Sequence, residues 1–165
     1  MDIETVLEYT IPYQHALAVH FPLVLLLLAA GAAAGYAVRG SAAWRHAVLW
    51  LLGLGAASAY WARATGPALL GDMEGTPIVD RLIETHATAA NWTVGLSALA
   101  LLAALGGTLW WRRRQARYVL GAPGGALPPE PLALRVGLLV PTLLAALAVA
   151  WTGHVGAVMV WGVAG

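Results

Sequence analysis

The chain has 165 residues, 60% of them hydrophobic and only 10% charged, with 9 basic side chains against 8 acidic ones and no cysteine. A soluble domain carries roughly 25% charged residues, so this composition excludes a water-soluble globule, a disordered chain and a free-standing nucleic-acid binder. The lack of cysteine also removes disulfides, thiolate metal sites, cysteine-held iron–sulfur clusters and covalently attached c-type haem.

The first element is a run without Lys, Arg, Asp or Glu from Tyr9 to Val38. It predicts a helix over 14–38. It is too long, and too poor in flanking positive charge, for a cleaved signal peptide. A second such run, His46 to Ala62, predicts a helix over 45–64. An outer loop follows from Gly66 to Glu84. Within it, Thr76 before Pro77 reads as a helix N-cap with proline in the first helical position. The third helix is predicted over 77–112 and contains the uncharged run Thr85 to Trp111. Gly121 to Pro129 is rich in glycine and proline and reads as irregular. The run from Val136 to Gly165 predicts the last helix, over 134–161.

Each run is near or above the roughly 17–25 residues that cross a hydrocarbon core. Backbone amides in lipid must be satisfied within their own segment, which selects helices. Stretches such as Leu23 to Ala30 do not alternate, so a barrel is excluded. The fold class expected is all-α: one integral membrane four-helix bundle spanning 1–165.

The basic residues orient it. Arg39, Arg45, Arg112, Arg113, Arg114, Arg117 and Arg135 fall on one side, and Arg63 and Arg81 on the other. The positive-inside rule places the first set in the cytoplasm and both termini on the outer, periplasmic side. Asp2, Glu4, Glu8, Asp72, Glu74, Asp80 and Glu84 then lie outside. Trp44, Trp110 and Trp111 mark an inner interfacial belt, and Trp61, Trp92, Trp151 and Trp161 an outer one.

Ionisable groups in membrane spans are costly and therefore informative. Of the five histidines, only His46 lies on the inner side. His20 is 19 residues from Arg39, and His154 is 19 from Arg135. At about 1.5 Å per residue both lie roughly 28 Å above the inner boundary. His15 and His86 come out somewhat higher. The stripe below His20 runs through Val24, Leu27, Gly31 and Gly35; that of His86 runs through Ala90, Thr93 and Ser97. Small residues there let helices or a flat cofactor approach closely.

Imidazoles converging from separate helices suit b-type haem, held non-covalently between two axial histidines. By depth alone, His20 pairs best with His154. His15, five residues before His20, points about 140° away round the helix, so the two cannot serve one iron on one face; His15 is a candidate for a second cofactor site or for the interface. The alternatives are a copper or zinc site built on His20, His86 and His154 with Met159 or Glu84, and imidazoles that are purely structural. His46 has no second inner imidazole and reads as structural. Arg63 and Arg81 are the outer cations available to haem propionates. No Ser/His/Asp set, paired carboxylates or phosphate loop lies in the spans, so catalysis by the chain itself is not expected.

The segment His15-Ala-Leu-Ala-Val-His20-Phe-Pro22 resembles the H-x-x-x-x-H-F-P opening of the domain of unknown function 2231 family, small four-helix bacterial membrane proteins. Gly53-Leu-Gly-Ala-Ala, His86 after an acidic stretch, and Thr152-Gly-His-Val-Gly-Ala-Val-Met-Val-Trp-Gly162 extend the resemblance over nearly the whole chain. Ala157 and Trp161 stand where the family pattern has glycine and tyrosine. The resemblance favours pairing His20 with His86. It also implies respiratory context, because some relatives are associated with cytochrome c or Rieske-like modules.

The expectation is a multi-pass protein of the bacterial cytoplasmic membrane that binds haem b near the outer face. It would pass electrons between a quinol or membrane partner and an outer redox protein. The alternative is a cofactor-free accessory subunit of a larger membrane complex.

Overall fold

The computed structural model describes residues 14–69, 77–121 and 128–162. Its elements are α1 (Gln14–Ala18), α2 (His20–Arg39), α3 (Ala42–Thr65), α4 (Pro77–Gly121) and α5 (Leu132–Trp161), with no strand among the described residues. Thr76, the acidic residues before it in the outer loop, those before Gln14, and 122–127 of the inner loop lie outside the described residues.

Pro22 explains why the first helix is split. It has no N–H to give the Ala18 carbonyl, and its ring crowds that carbonyl. The chain breaks at Val19, although Val19 keeps helical dihedrals and its N–H still bonds the His15 carbonyl at 3.1 Å. The inward face of α1 and α2 includes Ala18, Pro22, Leu26, Ala29, Ala33 and Tyr36, at spacings of three or four. Gly40 ends α2 in the left-handed region (φ 61°), its N–H returning to the Tyr36 carbonyl at 2.8 Å. A Cβ on Gly40 would also collide with the Arg135 guanidinium. Two independent requirements therefore select glycine there.

The long helices close a circuit: α2 packs on α3 and α5, and α4 packs on the same two. The short α1 rests on α3. Buried Val48, Leu52, Ala59 and Ala62 line α3; Ala100, Ala104 and Trp111 line α4; Leu134, Leu138, Ala145 and Val149 line α5. Small residues bring the axes close. At Gly55, for example, a Cβ would sit 2.7 Å from Leu26 Cδ2. Large apolar side chains such as Val24, Leu28, Leu102 and Leu147 face outward, which suits lipid and would be costly in water.

Among the described residues, three helical stretches are long and apolar enough to cross a membrane: Gln14–Arg39, Ile78–Gly121 and Leu132–Trp161. The more polar α3, which carries Arg45, His46, Arg63 and Thr65, is not among them. One boundary differs markedly from expectation. The segment Arg113–Arg117, beyond the expected end at 112, continues α4 as helix to Gly121. Arg, Gln and Ala all favour helix, and the first strong stop is that glycine.

Candidate functional site: a histidine pair at one end of the bundle

The inward stripe of α2, extended back through Ala18, reaches His15 and not His20. His15 is half-buried against α3. Its Nδ1 lies 2.9 Å from the Ala62 carbonyl and 3.3 Å from Thr65 Oγ1. A carbonyl only accepts, so Nδ1 carries the proton and Nε2 keeps a free lone pair. Gly66 lies beside the same ring, where a Cβ would come 3.5 Å from Cε1.

His86 approaches from α4. The rings of His15 and His86 meet edge to face, with centroids 6.5 Å apart and planes at 84°. His86 is half-buried and rests on Gly156 of α5, where a Cβ would come 3.1 Å from its Cε1. The Thr152 backbone lies near the ring. Even so, His86 Nδ1 is buried without a partner of hydrogen-bonding geometry among the described residues. Below this level, Thr93 and Thr152 bridge α4 and α5 at 2.8 Å.

The other histidines stand elsewhere. His20 is exposed, and its Nδ1 donates to the Ala16 carbonyl at 2.8 Å. That is the i−4 carbonyl at the break, so its imidazole serves as a local cap. His154 is exposed and lies 5.7 Å from the Trp151 ring. Both are thus exposed, and the ring contact at this end joins His86 to His15. His46 sits at the opposite end, with Nε2 3.5 Å from Arg112 Nη2. Arg63 donates from Nε to Asn91 Oδ1 at 2.8 Å, and Arg81 is exposed on α4. Among the described residues no group of three or more His, Asp or Glu side chains could hold a metal ion. The triad His20, His86 and His154 is thus not assembled.

A second polar centre, absent from the sequence reading, closes the arginine-rich end. The Glu130 carboxylate accepts hydrogen bonds from the Tyr36 hydroxyl and from Arg45 Nη1. Arg45 is only 3% exposed and Tyr36 is fully buried. One carboxylate just before α5 therefore ties α2 to α3. The signal available in sequence was the phase of Arg45, which shares a face with Val48 and Leu52.

The family described as predicted membrane protein (DUF2231) matches residues 12–164. No curated protein and no solved structure matches the chain.

Proposed function

We propose, from the premise that the chain belongs to the DUF2231 family of predicted membrane proteins, that it is a b-type haem protein passing electrons within a bacterial respiratory chain. In this reading α3 is a fourth span, the arginine-rich end faces the cytoplasm, and both termini and the haem lie on the outer side.

The observation that carries the reading is the His15–His86 pair. Their ring centres lie 6.5 Å apart, near enough that a small rotation of either ring would let both imidazoles hold one metal. The bond from His15 Nδ1 to the Ala62 carbonyl is the outer-shell contact that fixes a ligating tautomer and leaves Nε2 free. Glycines at 66 and 156 keep the flanks of both rings narrow. Two protein ligands suit a porphyrin, which supplies four more; zinc needs three or four from the protein. Haem held by these two imidazoles would supply one-electron transfer. Arg63 and Arg81 are the cations at this end for the propionates, and a quinol or a membrane complex is the donor class.

The cofactor-free accessory subunit is favoured by a different observation. The bond between His15 and Ala62 already ties α1 to α3, a structural use that needs no metal. Pyridine haemochrome analysis of the purified protein separates the two. Haem at about one per chain supports the first; a colourless, metal-free preparation supports the second. Stoichiometric copper without haem would move the assignment to metal handling, with the same two imidazoles as ligands.

A further inference from the structure

We infer that the cytoplasmic-end extension of α4 holds a headgroup site for an anionic phospholipid, built from Arg113, Arg114 and Arg117 between Trp110 and Tyr118. These five side chains line a cavity of about 510 Å³. They recur at helical spacings of three and four, so they share one face of α4. Arg114 lies over both aromatic rings, 5.5 Å from that of Trp110 and 5.9 Å from that of Tyr118. Its Nη2 also donates to the Tyr118 hydroxyl at 3.5 Å. The stacked guanidinium is thereby held in plane. Arg113 and Arg117 flank it one turn apart.

The site lacks a counter-charge of its own. Among the described residues these three arginines make no ion pair; the carboxylate at this end, Glu130, is taken by Arg45. Like charges one turn apart destabilise a helix, yet α4 runs unbroken through them to Gly121. An external anion resolves that conflict, and a phosphate oxygen set matches guanidinium donors.

Position selects the lipid as its source. The 45 residues of α4 extend roughly 67 Å, more than twice a hydrocarbon core of about 30 Å. The uncharged stretch ends at Trp111, and Trp110 is an exposed indole of the kind that settles at the interface. Arg113 to Tyr118 therefore stand at the level of lipid phosphates, where basic pockets on this side recognise anionic headgroups. Arg112, turned towards His46, is outside the cavity and serves as a control.

The test uses the full chain purified in neutral detergent and native mass spectrometry. Phosphatidylglycerol, phosphatidylcholine or inorganic phosphate is titrated in. Phosphatidylglycerol is expected to be retained at least about tenfold better than phosphatidylcholine, and inorganic phosphate is expected not to displace it. The double variant Arg113→Gln, Arg117→Gln should reduce retention to the phosphatidylcholine level, whereas Arg112→Gln should leave the preference intact. Arg114→Lys keeps the charge and the helix but loses the stacked plane, so it should weaken the preference even if the double variant fails to fold. Equal retention of the two lipids by the unaltered chain overturns the inference. So does a preference that survives both sets of variants. Displacement by inorganic phosphate would make this a free-anion site and overturns the lipid assignment.

Discussion

His15 on α1 and His86 on α4 meet edge to face with ring centres 6.5 Å apart, although 71 positions separate them in the chain. Neither helix positions its ring alone. Pro22 sets the break that lets α1 lean on α3, and Gly156 of α5 leaves room for His86.

Pro22→Ala should test the first of these. An alanine restores a donor for the Ala18 carbonyl and removes the ring clash, so α1 and α2 would tend to fuse and rotate His15 away from Ala62. Helicity by circular dichroism should not fall, while any spectral property of the histidine pair should change. An unaltered pair would mean that packing on α3, not the proline, fixes α1.

Gly156→Val tests the second. A Cβ there already approaches His86 Cε1 to 3.1 Å, and two further methyls must displace the ring. The cost expected from overpacking is about 1–3 kcal/mol, read as a lower unfolding midpoint in detergent. His154→Ala, two residues away on an exposed face, should shift the midpoint little.

At the other end, Arg45→Ala removes the cation from the buried Glu130 carboxylate and leaves it only the Tyr36 hydroxyl as a partner. Removing one member of a buried pair costs about 3–5 kcal/mol. The pair Arg45→Met with Glu130→Leu should recover much of the loss, because no uncompensated charge then remains. Thermal unfolding of the single and double variants gives the coupling directly. If the single and double variants lose equally, the ion pair is not what ties α2 to α3.

Gly40→Ala should cost about 1–2 kcal/mol from the left-handed backbone alone, and more once its methyl meets the Arg135 guanidinium. Adding Arg135→Ala should return only the steric part. A Gly40→Ala protein as stable as the parent would contradict the reported turn.

The helical membrane character of the chain was legible because uncharged runs of the right length are a coarse and redundant signal. Which histidine faces inward was not, because it depends on phase through Pro22. Depth counting along a straight helix sets His15 above His20 and is blind to which of the two faces inward. The three-and-four spacing of Ala18, Pro22, Leu26, Ala29 and Ala33 singles out His15, and that stripe was readable had the phase been carried back across the proline. Nothing local marks Glu130; its meaning arises only when α2 and α3 converge on it. The continuation of α4 through Arg113–Arg117 was not legible from charge, which marks a membrane boundary and not a helix end; helix propensity persists to Gly121.

The most direct measurement is the reduced-minus-oxidised optical spectrum of the purified chain and its single histidine variants. The account predicts a b-type haem signal that is lost in His15→Ala and in His86→Ala, and retained in His20→Ala, His46→Ala and His154→Ala. A signal that survives loss of His15 or His86, or that vanishes with His20 or His154 alone, would contradict it, as would no haem in any preparation.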